Sequence, residues 1–253
     1  MSFAIIPVRV QRRDGPFNLY DDIVRSLGDV RLEEGDIVAV SSKYAANSQG
    51  RVLKVASTVP SSQAGGISSK YKIDPRFAEI ILRESDHVFG GVSGFVLASS
   101  DGILAPNAGI DKSNVKKGSV VLYPDEPYSA AEVLRRKIFL EFGVHVGIII
   151  IDSRLMPARA GTVGIAIACA GLEPIQDMRG QKDLDGNPLK VTMKATADNM
   201  ASIANHMMGE GSESTPVAIV RDSGVRLTDR RILPSEVTVP SEMCVYIRGF
   251  QGR

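Results

Sequence analysis

Cysteine is scarce and tryptophan absent: Cys169 and Cys244 are the two thiols in 253 residues, far apart and without a second pair. That pattern indicates neither a disulfide framework nor a thiolate zinc site, so both are expected to be buried free thiols. Long apolar runs are missing as well. The greasiest stretch, residues 147–151, is strand-sized and far short of the roughly 20 apolar residues that span a bilayer. Nor is there an excess of one charge: 30 Lys and Arg stand against 29 Asp and Glu, scattered along the chain, for a net charge of +1. No nucleic-acid or membrane partner is expected from this, and any phosphate-bearing ligand must be held by local groups. The first residues run apolar and then basic, the reverse of a secretory signal, so a cytoplasmic location is expected.

Several chemical signatures are also missing. No Gly-x-x-x-x-Gly-Lys-Ser/Thr loop and no strand-linked Gly-x-Gly-x-x-Gly occur, so a nucleotide would have to be held in another way. The absence of a Gly-x-Ser-x-Gly elbow argues against an α/β-hydrolase. His87, His145 and His206 stand apart from one another and read as surface or satisfied core residues.

What is present is an alternation of helix and strand signals, which predicts a mixed α/β chain. Asn18 precedes Leu19, Ile23 and Leu27, and Gly28 follows, giving a capped helix with a stop. Asp74-Pro75 opens a second helix with Phe77, Ile80 and Ile81 inward. Ser129 with Glu132 predicts a capping box for a third, in which Leu134, Ile138 and Phe142 repeat. A fourth is expected over 192–208, with Met200, Ala204 and Met207 inward. Runs rich in aliphatic residues predict strands at 37–40, 92–98, 120–123, 144–151, 163–168 and 217–220, several of them buried on both faces. The Ser- and Gly-dense stretch 57–69 reads as a loop able to act as a lid. No Pro/Gly linker marks a domain boundary.

Three places carry candidate chemistry. The run Ile148-Ile149-Ile150-Ile151 ends in Asp152-Ser153, a carboxylate and a hydroxyl at what reads as a strand end. Asp152 either serves a site there or opens a turn. Asp111 lies in Asn107-Ala108-Gly109-Ile110-Asp111-Lys112-Ser113-Asn114, a turn-forming segment dense in oxygen donors. Two carboxylates, a hydroxyl and substrate phosphate oxygens suit Mg²⁺ or Mn²⁺, while an Asx-turn is the competing reading of Asp111. Glu210, flanked by Gly209 and Gly211, sits where the backbone can approach a phosphate closely, or where a helix simply stops.

Taken in order, these blocks resemble one family. The segments 36–43, Gly50-Arg51, Asp74-Pro75-Arg76, 107–114, Asp152-Ser153, 161–166, 170–174, 179–184 and Met208-Gly209-Glu210 are similar to the coenzyme F420-0:L-glutamate ligases, over roughly residues 5–220. The resemblance implies a GTP-dependent ligase of α+β fold, one ligase domain over 1–253 made of two lobes and intertwined with a second copy in a homodimer. It implies two divalent ions, Mn²⁺ or Mg²⁺, with K⁺ as a further candidate. Asp111 and Asp152 correspond to ligands of one ion and are the catalytic candidates; Ser153 and Glu210 correspond to ligands of the other. Nucleotide contacts are implied for Pro7, Ser42, Lys43, Asn47, Asn114, Gly209 and Gly211. The implied substrates are GTP, L-glutamate and a deazaflavin-type acceptor whose lactyl phosphate tail carries the carboxylate. Three positions and one segment depart from the family's habit: Ser153 replaces threonine, Glu210 replaces glutamine, Asn47 replaces lysine, and residues 154–159 lack the aromatic and glycine spacing expected after Ser153.

Overall fold

The aliphatic runs pair as the sequence suggests they should, side by side in one central sheet. A computed structural model describes residues 2–13 and 15–251. In chain order its elements begin with β1 (Ala4–Val8), α1 (Leu19–Leu27), β2 (Ile37–Ser41), α2 (Ser42–Ser48), β3 (Val52–Lys54), α3 (Ser62–Tyr71) and α4 (Pro75–Glu84). Next come β4 (His87–Val92), β5 (Phe95–Ser100), β6 (Ile103–Pro106), β7 (Ser119–Val121), α5 (Pro127–Phe142), β8 (Gly147–Leu155) and β9 (Thr162–Ala170). The last are β10 (Ile175–Asp177), β11 (Met193–Ala195), α6 (Thr196–Met208), β12 (Val217–Arg221) and α7 (Val245–Gln251).

The central sheet has the order β1-β12-β2-β8-β9, with β2 and β8 parallel and the other neighbours antiparallel. Alternation along its inner strands fills both faces. Val38, Val40, Ile148, Ile150, Val217 and Ile219 meet Ile23 of α1 and Leu134 and Ile138 of α5. Ile37, Ala39, Ile149, Ile151, Ala218 and Val220 meet Met200, Ala201 and Ala204 of α6. Each fully buried Ile of this kind contributes roughly 1.5–3 kcal/mol, so the doubly covered strands anchor the molecule. α6 sits unusually close to β9, because Gly164 has no side chain: a Cβ there would lie 2.5 Å from the Ala201 carbonyl oxygen and 2.6 Å from the Asn205 Cβ.

A separate cluster lies over residues 52–122. Tyr71 of α3 and Phe77, Ile80 and Ile81 of α4 pack on Val96 and Ala98 of the β4-β5-β6 sheet and on Ala108, Ile110, Val120 and Leu122. β3 pairs with β7 and so returns the chain to the central sheet.

Several sequence expectations are corrected here. The segment 57–69 is no loop: Ser61 caps α3 by accepting from the Ala64 N–H at 3.2 Å, and the helix is held by burial of Ala64 and Tyr71 despite its two glycines. The stretch 92–98 is two strands, because Ser93-Gly94, with Gly94 at φ +88°, turns β4 into β5. Helix α5 starts at Pro127 rather than at a Ser129 cap, Pro127 being pre-set for the first helical turn. Helix α6 begins at Thr196, since 193–195 pairs with 175–177 as a ribbon, and Met208 rather than the exposed Met207 takes the inner place. Cys169 is buried as expected, but Cys244 is partly exposed. Among the described residues no helix is long and apolar enough to cross a membrane.

Candidate active site

The carboxyl ends of the two parallel strands create the site. Ser41 of β2 is in register with Ile151 of β8, so the residues that follow, Ser42 and Asp152, stand side by side. Ligands of mixed sheets commonly lie beyond this edge. Strand β8 does not end at Ile151: Asp152 continues it opposite Ile165, and a register shift between Ile150 and Ile151 re-aims the side chains that follow. The reading of Asp152 as the start of a turn is thereby set aside.

Both oxygens of Asp152 are held by hydroxyls. Ser42 Oγ donates to Oδ1 at 3.1 Å and the Tyr123 hydroxyl donates to Oδ2 at 2.8 Å. Burial, with a smaller push from the negative charge of Asp111, raises the Asp152 pKa to about 6, although both hydroxyl bonds pull the other way. The Tyr123 hydroxyl is itself pushed well above its ordinary range, first by burial and then by Asp152, so it stays protonated and donates.

Asp111 is differently served. The Lys43 ammonium lies 2.5 Å from its Oδ2, and Ser113 donates its N–H to Oδ1 at 2.6 Å and its hydroxyl to Oδ2 at 2.9 Å. Burial alone would raise this carboxyl, but the Lys43 and Ser113 contacts outweigh it and leave its pKa below the ordinary value. The Asx-turn and the charged site both exist here, built from the same carboxylate.

Glu210 follows Gly209, whose φ of +75° releases the chain from α6. The Glu210 carboxylate accepts from Ser153 Oγ at 3.1 Å and from Asn205 Nδ2 at 2.9 Å, which brings Ser153 and Glu210 together. Asn114 spans the opening: its Nδ2 donates to the Gly211 carbonyl at 3.2 Å. The Gly211 N–H donates to Glu213 at 2.8 Å.

Lys43, Asp111, Asn114, Asp152, Ser153, Asn205 and residues 209–213 line one open cleft of about 700 Å³, with Asn47 one helical turn beyond Lys43 on α2, while Ser42, Ser113 and Tyr123 stand outside its lining. Pro7 lies elsewhere. It is an exposed residue of β1 opposite Ala218, and the cleft wall on that side is formed instead by residues 10–13 and 15–17. Arg13 of this wall is fixed by the buried Asp22, which also accepts from Tyr44 at 2.7 Å.

Among the described residues no three His, Cys, Asp or Glu side chains cluster as a self-sufficient metal cage. The donor set nevertheless fits a hard divalent cation. It is all oxygen, and the donors to Asp152 are neutral hydroxyls that leave its negative charge in place. Mg²⁺ and Mn²⁺ ordinarily complete such a partial set with water and substrate phosphate.

Reasoning from sequence alone missed Tyr123, Asn205 and the Arg13–Asp22 pair. Each depends on contacts between distant segments, and Tyr123 has no local motif around it. The block 107–114 is explained by its geometry. Asn107, Ala108 and Gly109 are successively left-handed at φ +53°, +55° and +72°, and Asn107 Oδ1 accepts from the Val96 N–H at 2.9 Å. Gly109 lies directly beneath the Tyr123 ring, where a Cβ would fall 2.0 Å from Cζ.

A mixed α+β architecture carries, at the ends of its two parallel strands, an open cleft lined by charged side chains of both signs and by hydroxyls. Comparison with known proteins identifies the family. Residues 13–222 match the family described as F420-0:Gamma-glutamyl ligase. Proteins named coenzyme F420:L-glutamate ligase are similar along most of their length. That of Methanopyrus kandleri is 35% identical over 87% of each chain, and that of Archaeoglobus fulgidus is 36% identical over 81% of this chain and 83% of its own. The Methanocaldococcus jannaschii protein of the same name is 37% identical over 77% of this chain and 78% of its own. The chain belongs to the F420-0:gamma-glutamyl ligase family, and with it to the ligases.

Proposed function

We propose that this protein joins the amino group of L-glutamate to the carboxylate of coenzyme F420-0 at the expense of GTP, through an acyl phosphate. The observation that supports this reading most directly is the convergence of Asp111, Asp152 and the Ser153–Glu210 pair on one cleft, beside Lys43 and the glycine-flanked loop.

A carboxylate is a poor acyl donor because oxide is a poor leaving group. In the first step an acceptor carboxylate oxygen attacks the γ-phosphorus of GTP, the bond to the β-bridging oxygen breaks and GDP leaves. In the second the glutamate amine attacks the acyl carbon, the C–O bond breaks, phosphate departs with the electron pair and the amine loses a proton. Divalent ions held by Asp111 with Asp152, and by Ser153 with Glu210, would offset negative charge on the phosphate oxygens. In this proposal the Lys43 side chain, paired with Asp111, swings its ammonium to a phosphate. Asn47, Asn114, Gly209 and Gly211 are the positions from which α2 and the two facing loops hold the nucleotide. Ser42 keeps Asp152 at the strand end, and K⁺ is a further ion to be tested in the assay.

A homodimer belongs to the same proposal. The ribbon of β10 and β11 and the loop joining them leave Leu184, Val191 and Met193 exposed, an apolar surface for a second copy.

GTP with Mn²⁺ should raise the melting temperature, since a ligand bound only by the folded state stabilises it by about 2.7 kcal/mol at 100 times its Kd. The rise should require the metal. No shift at millimolar GTP and Mn²⁺ would remove the nucleotide site and the proposal with it.

A further inference from the structure

Resting on the cation-site reading above, we infer that Tyr123 is a positioning residue for the ion held at Asp152, and that the left-handed turn at Gly109 exists to seat it. A monodentate or bidentate carboxylate ligand has to present a chosen lone pair to the ion, and free rotation about the side-chain bonds would scatter that lone pair over several directions. Asp152 is denied this freedom from two sides. Ser42, from the end of β2, engages Oδ1 at 3.1 Å, and Tyr123, from the segment after β7, engages Oδ2 at 2.8 Å. Each oxygen retains lone pairs for an ion after giving one to a hydroxyl.

The position of the Tyr123 hydroxyl is itself fixed at three levels. Its backbone carbonyl accepts from Arg51 Nε at 3.1 Å, and Arg51 also pairs with Glu84 of α4 at 2.5 Å. Its ring lies over Gly109, a contact that no other residue type permits, because a Cβ would stand 2.0 Å from Cζ and 2.4 Å from Cε1 and Cε2. The neighbouring Leu122 donates its N–H to the Arg51 carbonyl at 3.0 Å and so holds the same strand edge. The turn that supplies Asp111 to the cleft therefore also supplies the floor under Tyr123. One short segment, 107–111, sets both carboxylates: Asp111 by carrying it and Asp152 through Tyr123.

Partners of this kind, standing behind a ligand rather than touching the ion, typically change metal affinity about 10- to 100-fold when removed. Tyr123→Phe keeps the ring on Gly109 and deletes only the hydroxyl. Mn²⁺ binding to the free protein, followed by electron paramagnetic resonance, should weaken by at least about tenfold in this variant. Ser42→Ala should weaken it in the same sense, and both variants should keep the parent's helical content. In turnover, the apparent KM for Mn²⁺ should rise while kcat recovers at saturating metal. Parental Mn²⁺ affinity in Tyr123→Phe, with or without a drop in melting temperature, would overturn the positioning role while leaving the cation site standing. Failure of the parent protein itself to bind Mn²⁺ would overturn the cation site and this role together.

Discussion

Asp152→Asn should abolish ligation, lowering turnover by at least about 10²–10³-fold, while the protein remains folded. The expectation follows from charge. An amide is isosteric with the carboxylate and can still meet the two hydroxyls, since Ser42 and Tyr123 can donate or accept. It cannot supply the negative charge that a hard cation needs. The same substitution should leave the metal-free protein as stable as the parent or more so near pH 8. Burial and Asp111 hold the folded pKa of Asp152 near 6, above the roughly 3.9 of an unfolded chain. The stabilising contribution of this group is therefore fully present below the unfolded value and is lost as pH rises through about 6. Removing the carboxyl gives its largest relief above that pH and little at pH 4. Melting curves of parent and variant at pH 4 and pH 8, without metal, give the comparison. Parental turnover in the variant would remove Asp152 from the site, and a variant markedly less stable at pH 8 would contradict the electrostatic account.

Gly109→Ala should be among the most damaging small substitutions in the molecule. Two costs coincide. The backbone at φ +72° disfavours any side chain by about 1 kcal/mol, and the added methyl would overlap the Tyr123 ring, at the 1–3 kcal/mol typical of overpacking. A loss of about 2–4 kcal/mol in denaturant unfolding is expected, together with weaker Mn²⁺ binding as the hydroxyl leaves Asp152. The two parts separate in a double-mutant cycle. In a Tyr123→Ala background the same Gly109→Ala change should cost only the backbone part, about 1 kcal/mol, because the ring is gone. Full additivity of the two substitutions would show that Gly109 and Tyr123 do not act through contact.

The sequence made much of this arrangement legible, for identifiable reasons. Helices α1 and α4 carry their own caps in Asn18 and Asp74, whose side chains accept from Asp21 and Arg76 N–H groups. Strands β2, β8 and β12 are buried on both faces, and unbroken aliphatic runs announce that condition. Asp111 and Asp152 could be picked out because carboxylates beside turns and aliphatic strands are conspicuous. What escaped depends on tertiary contact. Helix α3 has a serine- and glycine-rich composition that favours loops and is held by packing of Ile67 and Tyr71 with the cluster around α4. The N-terminal β1, with Pro7 at an edge, is stabilised by pairing with a strand more than 200 residues away. Tyr123 looked like any aromatic at the end of a strand until Gly109 and Asp152 were placed on either side of it. Pro7, implied for the nucleotide by resemblance, lies outside the cleft wall, which the following segment supplies.

The central claim is that the cleft activates a carboxylate with GTP and transfers it to glutamate. The most direct measurement is mass spectrometry of coenzyme F420-0 incubated with the purified protein, GTP, Mn²⁺ and L-glutamate, with phosphate release followed in parallel. The account predicts acceptor heavier by one or more glutamyl residues, one phosphate released for each amide formed, and neither product when glutamate's partner carboxylate or the metal is left out. Unchanged acceptor in the complete mixture, from protein that binds GTP and Mn²⁺, would contradict it.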